Sequence, residues 1–292
     1  VLLRCGGQRA GIRRGVYAIT RECLETRDEG VYCLPMAAAV DTDRDARLHA
    51  LWHVPVGLVF TVGFTLGASA ASMLTLGQCA PWLSPILLRF WGRNILRIQG
   101  VTLEVEGAEH LAGRAMRVAT FNHTSTLDAM IVPALCPQGG VAAIKREVLF
   151  LPFVNLAVWS MGFLLIDRGR SARAQRLLQS AAARMARQRL TVFIAPEGTR
   201  SPDGALQPFK LGAFHVALAS GAPIVPVVID GAYDLMPRQR SWCAPGRVRV
   251  RILPPIDTTG LTREGLAALA ESLHDTYART LAEMRAAAPA SA

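Results

Sequence analysis

Between Leu48 and Leu88 the chain carries no Asp, Glu, Lys or Arg. The densest apolar part, residues 54–76, is long enough to cross a bilayer as a helix. A buried core helix has the same composition but is usually shorter. A cleavable signal is suggested by Ala68-Ser69-Ala70. It is opposed by the apolar residues that continue past that site and by Asp41, Asp43 and Asp45 ahead of it. The pattern therefore predicts an uncleaved membrane anchor. Gly63 and Gly67 form a G-x-x-x-G that carries little weight alone. Beyond Pro81 and Pro85, Arg89, Arg93 and Arg97 recur every four residues and so share one helical face. Leu87, Leu88, Phe90, Trp91, Ile95 and Ile98 give that segment apolar surface, which predicts an interfacial helix with its arginines at lipid headgroups. An ordinary amphipathic surface helix has the same period. The basic flank places this side, and the residues that follow, in the cytoplasm at the inner membrane.

From Val101 the pattern changes to short β-branched runs separated by helical periods. Strands are predicted at 101–105, 116–121, 140–144, 163–166, 191–194, 224–229 and 248–252. Helices are predicted at 127–135, 151–161, 172–188 and 210–219, with a last one over 262–286 capped by Thr262. Alternation of this kind implies an α/β fold, one mixed sheet with helices on both faces. The chain divides on this reading into an extension (1–47), an anchor and interfacial helix (48–99) and a catalytic domain (100–292). The first 35 residues are rich in Arg, Gly and Cys without an apolar period, and Met36 opens a more ordinary beginning. That segment reads as dispensable.

Composition narrows the partners. Of 292 residues 51% are hydrophobic and only 18% charged, yet the net charge is +10. A basic, apolar chain suits an anionic partner such as membrane phospholipid or an acidic carrier protein. Nucleic acid is disfavoured, because no zinc-finger spacing, RNA-binding aromatic signature or helix-turn-helix is present. Seven arginines and no acid lie between Arg168 and Arg189, a second basic stretch suited to anionic lipid or acyl carrier protein. The six cysteines are scattered with no C-x-x-C pair. They read as reduced core residues, and no metal site is implied.

Several segments carry candidate chemistry. Asn122-His123-Thr124-Ser125-Thr126-Leu127-Asp128 follows a predicted strand and enters a helix. Asp128 can reach back across one turn to a ring nitrogen of His123 and fix its tautomer, leaving the other nitrogen to take a proton from an alcohol. The bland alternative is a structural histidine and a helix cap, since H-x-x-x-x-D is common by chance. Ser125 is a rival nucleophile, but no G-x-S-x-G elbow surrounds it. Ala195-Pro196-Glu197-Gly198-Thr199-Arg200-Ser201 also follows a strand. In it Glu197 can accept from a substrate hydroxyl and Arg200 can clamp a phosphate with two donors. A solvated turn with an internal Glu–Arg pair is the alternative. Lys145 and Arg168 each end a predicted strand, where α/β folds place ligands, while Arg146 reads as surface charge. Val225-Pro226-Val227-Val228 reads as a site wall or core.

Taken together these segments resemble the 1-acylglycerol-3-phosphate acyltransferases of the glycerolipid acyltransferase superfamily. That family shows N-H-x-S-x-x-D, then K-x-E-L and G-x-x-F-I-D-R, then F-P-E-G-T-R-S, then V-P-V. Here NHTSTLD, KREV, GFLLIDR, APEGTRS and VPVV stand in that order, within a resemblance covering residues 51–256. Val148 for Leu and Ala195 for Phe are apolar departures that bear on acyl fit. The resemblance implies that His123 is the base, that Asp128 orients it, and that the Glu197-Gly198-Thr199-Arg200 turn binds the glycerol phosphate. Lys145 and Arg168 are implied as further phosphate contacts. It implies transfer of an acyl chain from acyl-CoA or acyl-acyl-carrier-protein to the sn-2 hydroxyl of lysophosphatidate, giving phosphatidate in phospholipid biosynthesis, with no cofactor. Transfer to another lysolipid, such as lyso-ornithine lipid, is the same-chemistry alternative. A hydrolase that activates water and a non-catalytic lipid-binding module are the rivals of other classes.

Overall fold

A computed structural model describes residues 42–74, 80–145, 164–166 and 172–287, with side chains described for most of them. The extension before Met36 and the predicted helix over 151–161 lie outside the described residues, as do Arg146 and Arg168. Two helices open the described chain, α1 (Thr42–Leu74) and α2 (Ala80–Ile98). The strands are β1 (Val101–Glu106), β2 (Arg117–Phe121), β3 (Gly140–Lys145), β4 (Leu164–Ile166), β5 (Thr191–Ile194), β6 (Ile224–Asp230) and β7 (Gly246–Ile252). The other helices are α3 (Asp128–Leu135), α4 (Ala172–Gln188), α5 (Gly212–Ser220), α6 (Ala232–Leu235) and α7 (Leu266–Ala286).

The strands form one seven-stranded sheet in the order β1-β7-β6-β2-β5-β3-β4. Every neighbouring pair is parallel except β6 and β7. Alternation along the strands feeds two cores. Val118, Val192, Ile224 and Val228 face α5 and α7. Ala119, Phe193, Val225, Val227 and Ile229 face α3 and the end of α2. The central strands are therefore apolar on both sides, as expected of a sheet covered on both faces.

Helix α2 is packed into this unit. Leu96 belongs to the α3-side core, and Gly92 permits a close crossing, since a Cβ there would lie 2.4 Å from the Ala134 amide nitrogen. α1 packs on α2 through the Phe60, Phe64 and Phe90 rings and a bond from Trp91 Nε1 to Thr61 Oγ1. Gly57, Ala68 and Ser69 are also covered, and much of the remaining surface of α1 is exposed. Residues Leu48–Ala71 are long and apolar enough to cross a membrane, and only 17% of their most apolar window is buried. A core helix would be mostly covered. This makes α1 a candidate membrane-anchoring helix.

Boundaries differ from the sequence reading where a turn precedes a helix. α7 begins at Leu266, not Thr262, and Thr262 only holds the Gly265 N–H at 3.4 Å. The single-turn helices at Ala108–Leu111 and Ala232–Leu235 are not predicted. One turn is too short to show a 3.6-residue period.

Candidate active site

β2 and β5 lie side by side and run in the same direction, yet their chains leave toward opposite faces. β2 leads to α3 on one core and β5 to α5 on the other. Such a divergence opens a crevice beyond the carboxyl ends of the strands. The two motif turns meet there. Lys145 ends β3 at the same edge by strand register.

The backbone of His123 shows why the turn leaves the sheet. Beyond Phe121, which is opposite Val227, the ladder on β6 is completed by a side chain. Asn122 Nδ2 donates to Ile229 O at 2.8 Å, and Ile229 N–H donates to Asn122 Oδ1 at 2.7 Å. The His123 main chain is thereby released. Its N–H donates to Glu197 Oε1 at 2.7 Å and its carbonyl accepts from Ser201 N–H at 2.8 Å. Both polar groups of the residue are satisfied by the second motif, so the two turns hold each other.

The side chain of His123 is placed with equal definition. Its Nδ1 lies 2.8 Å from Asp128 Oδ2, which also accepts from Ser125 N–H at 2.9 Å. The Phe121 ring meets the imidazole edge-on at 5.7 Å. Nε2 is the remaining ring nitrogen, on a side chain 26% exposed. Asp128 is 1% exposed. Burial pushes its carboxyl above the ordinary range, while His123 and the Ser125 N–H pull it back. A proton taken up by the ring would pair the buried carboxylate with a cation, which offsets part of the cost of its burial.

Ser125 is fully buried. Its Oγ donates to Met236 O at 2.6 Å and accepts from Leu127 N–H at 2.9 Å. It braces the turn, and neither its burial nor its bonding suits a nucleophile. The N–H groups of Ser125, Gly198 and Ser201 are likewise engaged within the two turns.

Glu197 is 1% exposed, and each of its oxygens accepts a backbone N–H. His123 supplies one and Gln207 the other, at 3.1 Å. The sequence reading gives it a substrate hydroxyl, whereas the geometry gives it a positioning task. Gly198 turns the chain at φ 77°, which an L side chain resists. Thr199 is exposed. Arg200 Nη1 donates to Thr126 Oγ1, which brings the guanidinium to the histidine turn. Thr126, Asn122 and Gln207 have no role in the sequence reading, and only the first two lie in a motif. Tyr277 is further removed. Its hydroxyl donates to Thr120 O at 2.7 Å and accepts from Val227 N–H at 3.1 Å. It stands where Pro226, opposite Thr120, offers no N–H to the ladder.

Burial pushes the Glu197 carboxyl up to about 7, against the downward pull of its two N–H donors. In the unfolded chain its value is roughly 4.3. The folded state therefore binds more protons between these values. The stability Glu197 contributes is full below the lower value and is lost as pH rises through about 7. In Glu197→Gln the amide nitrogen must face one of the two N–H donors, which is expected to cost about 1–3 kcal/mol at low pH. Denaturation midpoints of wild type and variant should converge as pH rises from 5 to about 8. A gap that stays constant across that range would contradict the raised carboxyl.

The acyltransferase family model matches residues 102–230, which contain both turns. The chain is 34% identical over 253 residues to the 1-acyl-sn-glycerol-3-phosphate acyltransferase of Limnanthes alba, covering 84% of this chain and 89% of that one. The chain belongs to the 1-acyl-sn-glycerol-3-phosphate acyltransferase family. It is 36% identical over 185 residues to the human alpha enzyme of that name, covering 63% of this chain and 65% of that one. It thus spans less than two thirds of that relative's length. The crystal structure of the 1-acyl-sn-glycerophosphate (LPA) acyltransferase from Thermotoga maritima superposes with a TM-score of 0.67 at 25% identity, covering 85% of this chain and all of that one. The mixed sheet flanked by helices is thus the fold of this family.

Proposed function

We propose that the protein is an O-acyltransferase that moves an acyl chain from acyl-CoA or acyl-acyl-carrier-protein to the sn-2 hydroxyl of lysophosphatidate, giving phosphatidate. One observation carries this reading. A histidine with one nitrogen fixed by a buried carboxylate and the other left open stands beside a turn presenting Arg200. His123 Nε2 takes the acceptor's hydroxyl proton as its oxygen attacks the thioester carbonyl. The tetrahedral adduct then expels the thiolate, and the imidazolium returns the proton to that sulfur. A thioester is already activated, so no covalent enzyme intermediate is needed. Arg200, Gly198 and Thr199 form the phosphate side of the site, with Lys145 and Arg168 as further contacts. Asp128 and Glu197 hold the geometry. The braced Ser125 disfavours a serine hydrolase, and the His123–Asp128 pair disfavours a purely binding role.

The long apolar α1 supports a site held at a membrane surface, and the basic flank of α2 supports a cytoplasmic orientation. Retention in the pellet after alkaline carbonate washing is the expected result, and release would argue for peripheral attachment. The acceptor is tested with Arg200→Lys. A guanidinium fork suits phosphate better than a point charge. The substitution should lower kcat/KM for lysophosphatidate by roughly ten- to a hundredfold. It should scarcely affect an acceptor that lacks the phosphate. Equal losses on both acceptors, or a wild-type preference for lyso-ornithine lipid, would move the assignment to the other lysolipid.

A further inference from the structure

Away from the catalytic turn, α2, β1 and the Ala108–Leu111 turn enclose a cavity of about 720 Å³. Arg89, Arg93 and Arg97 line one side of it, and Leu96, Leu103, Leu111 and Ile252 supply apolar wall. None of His123, Asp128, Glu197 and Arg200 lines it.

Its charge is unbalanced. No Asp or Glu is among the lining residues. The acids of the same strand are engaged elsewhere, Glu104 with Arg247 and Glu106 with Arg251. Among the described residues the ion pairs do not include Arg93 or Arg97. Arg89 is fixed at the end of α3 by a bond from Nε to Cys136 O at 2.9 Å. Three guanidinium groups beside an apolar wall match neither a simple anion, which leaves the wall wet, nor a neutral lipid, which leaves the cations without a partner. An anionic amphiphile satisfies both.

The bilayer is its source. At about 100° per residue, Ile86, Arg89, Phe90, Arg93 and Arg97 fall within one arc roughly 100° wide on α2. Ile86 and Phe90 are 63% and 53% exposed and continue the bare apolar surface of α1 through the Phe60 and Phe64 rings. The outward face of α2 therefore passes from apolar to basic along its length, as a helix does when it rises from hydrocarbon to headgroups. We propose that this cavity binds an anionic phospholipid of the bilayer that holds α1. Its phosphate lies on Arg89, Arg93 and Arg97, and part of an acyl chain lies on the Leu103–Leu111 wall. Such a lipid braces α2 against the sheet. Because α2 crosses α3 at Gly92, it also supports the helix that carries Asp128.

The test is a thermal titration of the purified full chain in neutral detergent. A ligand bound by the folded state alone raises the midpoint by an amount that grows with the logarithm of its concentration above its dissociation constant. Dioleoylphosphatidylglycerol should raise it and dioleoylphosphatidylcholine should not. Arg93→Gln with Arg97→Gln should require about tenfold more phosphatidylglycerol for the same shift. Arg263→Gln with Arg279→Gln, an equal loss of charge on exposed sites elsewhere, should require no more than wild type. Leu103→Trp should weaken the shift by crowding the apolar wall at unchanged charge. If that variant does not fold, the exposed arginine pair decides alone. Equal shifts with the two lipids, or equal losses in the two double variants, would overturn the proposal. A shift of the same size with inorganic phosphate alone would mark a soluble-anion site and overturn it too.

Discussion

Replacing His123 with Ala is expected to lower acyl transfer by about a hundred- to ten-thousandfold, the usual contribution of a positioned general base. The protein itself should survive the change. What binds the turn to the rest of the molecule is the His123 backbone, through Glu197 and Ser201, and alanine keeps both groups. The imidazole is partly exposed, so little apolar burial is lost. The measurement is single-turnover transfer from a defined thioester to lysophosphatidate, with the thermal midpoint recorded on the same preparation. Turnover within threefold of wild type would remove His123 from the chemistry. A collapsed midpoint would show that the side chain is structural.

Much of the architecture around this residue is legible in the sequence. The histidine–carboxylate pair is local: Asp128 stands five positions after His123, and one turn closes that distance. Strands such as Thr191–Ile194 are apolar runs bounded by polar or turn residues, and the end of such a run is where both motifs begin. The strand order is not legible. β7 runs against its chain neighbour β6 and inserts between it and β1, and its pairing with β1 joins segments at opposite ends of the domain, Val101 opposite Gly246. Glu197 illustrates the same limit at the level of one residue. Between Pro196 and Gly198 an acid reads as solvated or substrate-facing. Its burial depends on His123 and Gln207, the first of which lies 74 residues away. Tyr277, in a helix that follows every motif, joins the site's scaffold only because Pro226 leaves a gap in the ladder.

The second large effect separates charge from geometry. Asp128 receives both of its bonds, from His123 and from Ser125 N–H, on the same oxygen, Oδ2. An asparagine whose carbonyl takes that place keeps both, which Gln at position 197 cannot do because its two N–H donors fall on different oxygens. Asp128→Asn therefore keeps both bonds of the turn and deletes the negative charge that favours the imidazolium, while its amide nitrogen takes the place of Oδ1, which has no hydrogen-bond partner among the described residues. A charge pair at about 4 Å with an effective dielectric near 20 is worth about 4 kcal/mol, so transfer should fall by roughly two to three orders of magnitude. Folding should respond differently. Burial raises the Asp128 carboxyl, so the folded state holds this proton more tightly than the unfolded one. Its contribution to stability is present at low pH and is lost as pH rises through the folded value. The amide has no proton to lose. Relative to wild type, Asp128→Asn should gain stability as pH increases, while its activity stays low at every pH. Denaturation midpoints from pH 4 to 9, paired with transfer rates, read both. Activity near that of wild type would mean that the carboxylate does no electrostatic work. A variant that loses stability toward high pH relative to wild type would mean that folding favours the ionised Asp128 carboxylate and would contradict its raised value.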